Sequence, residues 1–389
     1  MKKRICIVTG TRAEYGLFLP ILKKIKIDPF FELQIIATGM HLSPEFGLTY
    51  KEIENDAFNI DEKVEMLLSS DTGTGILKSI GLGIIGMSDA LKRLTPDLIV
   101  VLGDRYETFS VVTAAFISGI PIAHLYGGET TEGSFDEGLR HSITKMSYFH
   151  FVSTEIYRRR VIQLGESPDR VFNVGAVGID NIKDMKLLNQ KQLEEKLNLT
   201  FGKKNALVTF HPVTLEQNTA EMQIQNLFNA LLEIEDLNII ITKPNSDTGG
   251  RALIKMIDEF AAKHKHRVYA YVSLGQLNYL SLIKQVDVVA GNSSSGIVEV
   301  PSFRKPTVNI GDRQKGRIRA ESVIDCEVNK ESILFALQKA LSSEFKIVCE
   351  NVINPYGDGT TSKRIVDIIK KKITKSIDLK KSFFDVDFK

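Results

Sequence analysis

The stretch KRICIVTGTRAEYG, residues 3–16, shows the repeating unit from which this chain is built. Ile5 to Val8 form an apolar run of strand length, and Gly10 to Arg12 form a glycine turn. Apolar residues then recur at intervals of three and four from Leu17 to Ile25, which is helical spacing. A strand followed by a turn and a helix predicts the first unit of a parallel α/β sheet.

Apolar runs of strand length recur along the chain, with helical segments between most of them. In the first half they are Leu33–Ala37, Leu98–Leu102, Ile120–His124, Phe149–Val152 and Val171–Val174. The pattern restarts with Ala206–Phe210, Ile239–Thr242, Val268–Val272, Val286–Ala290 and Thr307–Ile310. This alternation predicts parallel sheets covered by helices on both faces. The predicted fold class is α/β, with two Rossmann-like domains facing a cleft.

A polar, Lys- and Gln-rich segment without a strand signal, Asp184 to Leu199, separates the two series. We therefore predict an N-terminal Rossmann-like domain over residues 1–183 and a C-terminal one over 184–361. Residues 362–389 are the last helix, predicted over Ser362–Ile373, and a tail, which can pack on either domain, including back on the N-terminal one. The polar stretch Ser69–Gly75 is a candidate mobile loop over the cleft.

The composition is that of an ordinary globular chain: 389 residues, 43% hydrophobic, 8% aromatic and 25% charged. The net charge of +2 and the lack of a basic block argue against nucleic-acid binding. The cysteines Cys6, Cys326 and Cys349 are far apart and odd in number, which argues for a reducing compartment. No apolar stretch of membrane-spanning length and no signal peptide are evident, so we expect a cytoplasmic protein without membrane contact.

Polar residues follow the strands of the first half, where ligands of parallel sheets gather. Gly10 to Gly16 is a glycine turn with Arg12 at the mouth of a helix. It lacks the dinucleotide fingerprint, so it favours a phosphate over a nicotinamide cofactor, with a plain turn as the alternative. Asp104 follows another strand, and such a carboxylate is either a helix N-cap or an active-site acid.

The densest polar stretch follows the predicted strand Ile120–His124 and contains Glu129, Asp136 and Arg140. Asp136 and Arg140 share a helix face, where they form either a solvated salt bridge or a pair directed at a ligand. Because Asp104 and Glu129 follow strands of one sheet and Asp136 lies just beyond, the three carboxylates can converge. Such convergence is typical of proton-transfer chemistry.

The second half offers groups for a diphosphate. His211 ends a strand and is either a phosphate contact or a structural histidine. Gly291 to Glu299 is a run of glycines and hydroxyl residues opening a helix, which suits a diphosphate, with a serine-rich N-cap as the alternative; Glu299 can accept hydrogen bonds from ribose. Gly311 to Arg319 carries four cations and is either a nucleotide wall or a surface loop. No group of His, Cys and carboxylates has metal-ligand spacing, so we expect neither a metal nor any other cofactor.

Nine motifs carry a resemblance over nearly the whole chain. They are VTGTRAEYG (Val8–Gly16), TGMH (Thr38–His41), VLGDRYE (Val101–Glu107), YGGE (Tyr126–Glu129), DEGLRHSITKMS (Asp136–Ser147), FHPVT (Phe210–Thr214), GNSSSGIVEVPS (Gly291–Ser302), NIGDRQKGR (Asn309–Arg317) and NPYGDG (Asn354–Gly359). With them the chain closely resembles the hydrolysing UDP-N-acetylglucosamine 2-epimerases of bacterial sialic-acid-type and legionaminic-acid-type nonulosonate pathways. That family resembles the non-hydrolysing 2-epimerases and shares the two-domain GT-B fold of nucleotide-sugar glycosyltransferases.

The resemblance implies a role for each candidate residue. The residues implied to hold the diphosphate are Arg12, His211, Ser293 and Ser294. Those implied to contact the rest of the nucleotide are Glu299 at the ribose and Arg313 or Arg317 on the nucleotide side. Asp104 and Asp136 match acid/base carboxylates, and Arg140 matches an arginine that contacts the substrate. Tyr126 departs from the pattern, because several relatives have a glutamate there; either Glu129 takes over its proton transfer or Tyr126 has a different function.

An enzyme that resembles this family is expected to eliminate UDP, giving a 2-acetamidoglucal, and then to add water so that C2 is inverted. The implied substrate is UDP-N-acetylglucosamine or UDP-2,4-diacetamido-2,4,6-trideoxyglucose, without a cofactor, and the implied assembly is a homodimer or a dimer of dimers. Two alternatives stay open. One is a non-hydrolysing epimerase, although the GDRYE, GGE and NSSSG motifs look more like the hydrolysing branch. The other is a glycosyltransferase or a silent nucleotide-sugar binding protein, which would not need three carboxylates.

Overall fold

Two compact units make up the chain. The first contains Met1–Asn181 together with Tyr356–Lys389, and the second contains Ile182–Pro355. The computed structural model describes residues 2–68, 72–130, 135–211, 220–244 and 250–387. The final helix therefore belongs to the first unit, although the second unit precedes it in the chain.

Each unit is built on one parallel sheet. The strands of the first unit are β1 (Lys3–Thr9), β2 (Phe31–Thr38), β3 (Glu62–Val64), β4 (Leu98–Leu102), β5 (Ile122–Leu125), β6 (Phe149–Val152) and β7 (Val171–Asn173). Those of the second are β8 (Lys204–Thr209), β9 (Leu237–Thr242), β10 (Val268–Tyr271), β11 (Val288–Gly291), β12 (Thr307–Ile310) and β13 (Val323–Cys326). The strand orders are β3-β2-β1-β4-β5-β6-β7 and β10-β9-β8-β11-β12-β13. Both orders reverse beside their first strand, which is the topology of a Rossmann-like sheet.

Fifteen α-helices are present among the described residues. In the first half they are α1 (Arg12–Ile27), α2 (Tyr50–Asn55), α3 (Gly73–Leu94), α4 (Tyr106–Ile117), α5 (Asp136–Met146), α6 (Glu155–Gln163) and α7 (Gly178–Asp184). They continue with α8 (Gln190–Leu197), α9 (Ala220–Leu232), α10 (Gly250–Lys263), α11 (Gly275–Gln285), α12 (Ser295–Val298), α13 (Lys330–Ala340), α14 (Ser343–Glu350) and α15 (Thr361–Lys372).

The burial of β1 explains why it is apolar at successive positions. Ile5 and Ile7 pack in one core with residues of α1 and α15. Cys6 and Val8 pack in another core with residues of α3 and α4. A parallel strand with helices on both faces has no side exposed to water. The predicted α/β class with two parallel sheets is therefore confirmed.

Two strands escaped the sequence analysis. β3 and β13 lie at sheet edges, where β3 is only three residues long and β13 is only partly buried. Neither needs an apolar run, since an edge strand is covered less completely. The other two edge strands, β7 and β10, were predicted, because their sequences do contain apolar runs.

Helix α3 corrects two expectations. It spans 22 residues and is long and apolar enough to cross a membrane by length and composition, so the expectation that no apolar stretch reaches that length is wrong. Met87, Ala90 and Leu91 of the same helix pack in a core with the sheet. A helix in a protein core can have the same length and apolar composition as one that spans a membrane. Gly73 to Gly75 form its first turn, with Thr72 as N-cap, rather than a loop. Residues 69–71 of the predicted mobile loop lie outside the described residues.

A substitution of Gly291, at the end of β11, tests how closely β11 packs against β8. Its φ is +135°, and a Cβ added there would lie 1.9 Å from the carbonyl oxygen of Thr209. We expect Gly291→Ala to lower the free energy of unfolding by about 3 kcal/mol or more, because both the backbone and β8 would have to move.

The matched control is Gly16→Ala in α1, where an added Cβ meets no atom within 4 Å. Since alanine is preferred in a helix interior, this variant should gain about 0.5 to 1 kcal/mol. Urea unfolding followed by circular dichroism measures both. Equal effects of the two substitutions would contradict the packing at Gly291.

Candidate functional site

An ion pair lies at the carboxyl end of β4. The chain turns at Gly103, whose φ is +80°, and the next residue, Asp104, accepts a hydrogen bond from Nη2 of Arg140 on α5. Nη1 of Arg140 donates to the carbonyl oxygen of Tyr126 at 3.2 Å. The Arg140 side chain is 6% exposed and that of Asp104 is 20% exposed. One buried guanidinium therefore connects α5 with the turns that follow β4 and β5.

Three carboxylates act on one another in this part of the first unit. Burial raises the pKa of Asp104, and the positive charge of Arg140 opposes that rise. The negative charges of Asp136 and Glu129 raise the same pKa further. The structure thus brings Asp104, Glu129, Asp136 and Arg140 within electrostatic range, with Asp136 at the start of α5 and Arg140 one turn later. A carboxyl group whose pKa is subject to opposing influences of this kind is typical of sites that transfer protons.

Glu129 is held in a buried position. Its Oε1 atom accepts a hydrogen bond from Oγ of Ser153 at 2.9 Å, just beyond β6. The preceding residue, Gly128, has a φ of +77°, and a Cβ there would lie 2.5 Å from the carbonyl oxygen of Tyr157. A glycine is required at that position, so the path of the chain into Glu129 is fixed by close packing.

His124 contacts the turn that carries Asp104, and the sequence analysis gave it no role. Its Nε2 atom lies 2.7 Å from the carbonyl oxygen of Gly103, so Nε2 carries the hydrogen. Its Nδ1 atom can then accept from Oγ1 of Thr144, 3.2 Å away on α5. Burial lowers the pKa of His124 to about 3, so the ring is neutral. The only signal in the sequence was a histidine within an apolar strand.

The Tyr126 side chain contacts the backbone of Val177 and the core of the first unit. Its hydroxyl accepts a hydrogen bond from the backbone N–H of Val177 at 2.9 Å, and its ring packs against the core that contains Ile5. Its backbone has a φ of +67°, which directs its carbonyl oxygen to Arg140. The residue therefore contributes its backbone to the ion pair, and its side chain serves the core.

We expect Tyr126→Phe to keep turnover within about threefold of the parent protein, because the hydroxyl accepts a hydrogen bond from the backbone N–H of Val177. The free energy of unfolding should fall by about 1 to 2 kcal/mol, since the Val177 N–H loses its partner. Steady-state kinetics and urea unfolding test both statements. A loss of turnover of a hundredfold or more would instead give Tyr126 a part in proton transfer.

The far end of α5 is fastened by a buried acid. Glu166, whose side chain is 1% exposed, accepts from Lys145 at 2.6 Å, from His150 at 3.1 Å and from Lys381 at 2.9 Å. Lys381, in the tail after α15, also donates to the carbonyl oxygens of Lys145 and Ser147. Burial alone would raise the pKa of Glu166, but these hydrogen bonds outweigh it and lower the pKa to about 2. The tail thereby holds the helix that carries Asp136 and Arg140.

Glu166→Gln should lower the free energy of unfolding at pH 7 by about 3 kcal/mol, because it removes the buried negative charge that Lys145 and the largely buried Lys381 contact. The pKa of Glu166 is depressed in the folded state, so its stabilisation is present above the unfolded value of about 4.3 and is lost as pH falls toward 2. The free energy of unfolding of the variant should therefore not show this fall at acidic pH. The control is Glu155→Gln, an exposed partner of Arg158, which should change stability by less than about 1 kcal/mol. Identical pH profiles for Glu166→Gln and the parent would contradict this assignment.

The turn after β1 lies at the same end of the first sheet, where the parallel strands have their carboxyl ends. Thr11 caps α1 through the N–H of Glu14, and the Glu14 carboxylate accepts from the N–H of Gly10 at 2.7 Å. Arg12 is exposed and pairs with Glu52 at 2.9 Å. The same region contains residues that the sequence analysis missed. Burial raises the pKa of Glu14 to about 7, and the positive charge of Arg105 partly opposes that rise. Arg105 in turn pairs with buried Glu107 at 2.8 Å.

In the second unit Asn292 connects the candidate residues. Its side-chain amide exchanges two hydrogen bonds of 2.8 Å with the backbone of His211, across the ends of β8 and β11. The backbone carbonyl oxygen of Asn292 accepts hydrogen bonds from Nη1 of Arg313 at 3.1 Å and from Nε2 of Gln314 at 3.0 Å. The backbone of Arg317 bonds to Gln314 in the same turn. His211 and Arg313 are thus brought together by Asn292, which the sequence analysis did not single out.

The serine-rich segment differs from its predicted form. The helix it opens, α12, has only four residues, so the expected helix dipole behind a diphosphate is short. Ser294 is at the N-cap without a side-chain cap bond, and Oγ of Ser293 accepts from the N–H of Ser295 at 3.4 Å. Glu299 ends the helix and accepts from Oγ of Ser295; its pKa is raised by burial. Backbone amides and hydroxyls, rather than a long helix, are what this segment presents.

The predicted motif FHPVT extends into residues 212–214, which lie outside the described residues. Within the described part of the chain, no group of three or more His, Cys, Asp or Glu side chains is arranged to hold a metal ion.

Comparison with known proteins identifies the family. The profile of the family described as UDP-N-acetylglucosamine 2-epimerase matches residues 23–370. The chain belongs to this family. The resemblance inferred from the motifs is therefore confirmed.

Relatives of this epimerase chain match it from end to end. It is 43% identical to a Campylobacter jejuni protein named GDP/UDP-N,N'-diacetylbacillosamine 2-epimerase (hydrolyzing), over 99% of this chain and 100% of that one. It is 39% identical to polysialic acid biosynthesis protein P7 of Escherichia coli, over 99% and 98%. The crystal structure of UDP-GlcNAc 2-epimerase from Neisseria meningitidis bound to UDP-GlcNAc has a TM-score of 0.75 at 20% identity, covering 95% of this chain and 100% of that one. At that identity the likeness shows the fold, so the predicted GT-B-like class is confirmed.

Proposed function

We propose that this epimerase is a hydrolysing one: it converts a UDP-linked 2-acetamido sugar into the free C2-inverted sugar and UDP. The observation that carries the proposal is the Asp104–Arg140 pair, on whose carboxylate the charges of Asp136 and Glu129 act. Epimerisation at C2 needs a base on one face of the sugar and an acid on the other, which requires more than one carboxyl group. A nucleotide-sugar binding protein has no use for such a set.

The first proposed step is elimination. Asp104 removes the proton from C2, the C2–H electron pair forms the C1–C2 double bond, and the C1–O bond breaks with its electrons leaving on UDP. The positive charge of Arg140 opposes the rise in the pKa of Asp104 that burial causes, which favours the ionised carboxylate that acts as a base. Glu129, buried beside it, stabilises the positive charge that develops at C1 and the ring oxygen.

The second proposed step is hydration of the 2-acetamidoglucal. Water adds to C1 and loses a proton, while C2 receives a proton on the face opposite the one from which it was taken. Asp136 supplies that proton, since it lies on α5 one turn from Arg140 and within electrostatic range of Asp104. Sugar and UDP are then separate products. No cofactor enters either step.

The nucleotide is assigned to the groups gathered around Asn292 and to the turn after β1. The proposed diphosphate ligands are Arg12, His211, Ser293 and Ser294. The proposed contacts to the rest of the nucleotide are Glu299 at the ribose and Arg313 or Arg317. Support comes from the Asn292 hydrogen bonds, which fix the His211 backbone and the Arg313 side chain in the second unit. Arg12 is exposed, so its guanidinium can exchange Glu52 for a phosphate.

UDP-N,N'-diacetylbacillosamine, which is UDP-2,4-diacetamido-2,4,6-trideoxyglucose, is the preferred substrate in this proposal. The support is the end-to-end 43% identity with a relative named for the GDP- or UDP-linked form of that sugar. UDP-N-acetylglucosamine, which differs at C4 and C6, is the second candidate. The free sugar would then enter nonulosonate synthesis for a surface polysaccharide, as the name of the polysialic acid relative suggests.

Asp104→Asn and Asp136→Asn should each lower kcat by about a hundredfold or more, because each removes a positioned acid or base. UDP affinity, measured by calorimetry, should stay within about threefold of the parent, because neither residue is assigned to the nucleotide. The control is Glu137→Gln on the same helix, which pairs with His141 and should retain turnover. Near-parent turnover in either aspartate variant would remove that residue from the mechanism.

The reaction itself is tested by offering each UDP-sugar to the purified enzyme in labelled water. Elimination and hydration should place deuterium from D2O at C2 of a released sugar, and oxygen-18 from water in the sugar and not in UDP. The oxygen label must be followed at early times, since a free sugar also exchanges its C1 oxygen. A product that stays linked to UDP would indicate the non-hydrolysing reaction. Oxygen-18 in UDP would exclude cleavage at C1.

A further inference from the structure

One lysine of the tail that follows α15 is bound at the end of α5. Nζ of Lys381 donates to the carbonyl oxygens of Lys145 and Ser147, at 2.8 and 2.7 Å, and to the Glu166 carboxylate at 2.9 Å. An ammonium group has three hydrogens, so these acceptors use its whole capacity. The Lys381 side chain is only 17% exposed, and a lysine covered to this extent needs such partners. The contacts therefore fix the position of Lys381 on the first unit.

Lys381 caps α5 from a distant part of the chain. The last carbonyl oxygens of a helix have no partner within it. In α5 the N–H of Ser147 donates to the carbonyl oxygens of Ile143 and Thr144. The next carbonyl oxygen, that of Lys145, accepts from Lys381. A cation at this end of a helix also interacts favourably with the helix dipole. Loss of the Lys381 ammonium group should therefore loosen the last turn of α5.

A second contact binds the tail beside α5. The N–H of Phe384 donates to the carbonyl oxygen of Gly165 at 3.0 Å. The Phe383 ring lies against Gly165, where an added Cβ would be 2.3 Å from the ring and where the φ of +85° also favours glycine. Nζ of Lys145 lies 5.2 Å from the centre of the Phe383 ring. Residues 381–384 therefore form a strap that binds both α5 and the turn after α6.

Helix α5 connects the strap to the proposed site. Asp136 begins this 11-residue helix, Arg140 lies one turn later, and Lys145 is in the last turn. A rise of 1.5 Å per residue places Lys145 about 14 Å from Asp136 along the axis. Because a helix of this length is stiff, a shift at its last turn also moves its first turns. The contact between Arg140 and Asp104 would change with it.

We propose that Lys381 is a positioning residue for the epimerase reaction: through the strap it holds α5 so that Arg140 and Asp136 stay in place beside Asp104. Lys381 acts through the end of the helix and not on the substrate. The inference rests on the proposed function, which assigns chemistry to those three residues. Misplacement of a catalytic group by about 1 Å can cost about a hundredfold in rate. The strap thus gives a segment at the end of the chain an influence on turnover.

Lys381→Met tests the proposal, because it keeps the apolar stem and removes the donors. Hydrogen exchange followed by mass spectrometry should be about tenfold faster in the peptide that covers α5, since the last turn loses its cap. A peptide from α11, in the second unit, should exchange as in the parent. The value of kcat should fall about tenfold or more, while UDP affinity measured by calorimetry stays within about threefold.

The matched control is Lys380→Met, the same change at the exposed neighbouring residue. It should leave both the exchange of α5 and kcat at the parent values. Urea unfolding verifies that each variant is folded under the assay conditions. If Lys381→Met is not folded, Phe383→Ala decides the question, since it loosens the strap and leaves the lysine in place. It should speed the exchange of α5 and lower kcat by about threefold.

The pH profile separates positioning from a loss of stability alone. The charged groups that act on Asp104 are Arg140, Asp136 and Glu129, and the charge of Arg140 lowers the pKa of Asp104 more than either acid raises it. If α5 shifts, Asp104 loses this lowering, so its pKa rises. The acid limb of kcat/KM in Lys381→Met should therefore move to higher pH, by about 0.5 to 1 unit.

The outcomes that would overturn the proposal are distinct. Parental exchange of α5 in Lys381→Met, or in Phe383→Ala where that variant decides, would show that the strap does not hold the helix. Faster exchange with unchanged kcat, or with an acid limb at the pH of the parent, would make the strap a stabilising contact only. A parent that releases UDP from neither UDP-sugar contradicts the proposed reaction and not the strap, which the exchange of α5 then decides.

Discussion

The first unit depends on the contact between the Arg140 guanidinium and the Asp104 carboxylate. Arg140 is nearly inaccessible to water, so its charge must be balanced by the groups it contacts, and it holds Asp104 and the Tyr126 carbonyl together. Loss of either partner would leave a buried charge unbalanced, which typically costs about 3 to 5 kcal/mol. The turns after β4 and β5 and the helix α5 are thus fixed by one side chain. A site built on such a contact keeps its geometry in the absence of a ligand.

Helix α5 is secured along its whole length, which explains several residues outside the site. Near its middle, Arg140 binds Asp104, and one turn later Thr144 lies beside His124, which is neutral and bonds to the Gly103 carbonyl. At the C-terminal end of α5, Glu166 forms ion pairs with Lys145 and Lys381. Because a positioned acid or base must be held within a fraction of an ångström, these second contacts matter as much as the carboxylates.

The parts of the structure that sequence could predict are those in which one physical rule dominates. β4, β6 and β12 are strands over the predicted residues, since burial on both faces requires apolar residues throughout. β3 and β13 were missed because edge strands escape that requirement. Asp136 and Arg140 were predicted to share a helix face from spacing alone. Tyr126, Asn292 and the Glu14–Arg105–Glu107 group could not be assigned, since their functions depend on backbone turns and on contacts distant in sequence.

The electrostatics of Asp104 connect the fold to the proposed chemistry. Burial and two neighbouring carboxylates favour its protonated form, whereas Arg140 favours its ionised form. A group subject to only the first influence would stay protonated and would not be available as a base, and one subject to only the second would be too weak a base to take the proton. An elimination followed by a hydration requires a carboxyl group to accept a proton and later release it. In the proposed reaction Asp104 takes the C2 proton and releases it before the next turnover, and the opposition of Arg140 to burial favours both steps.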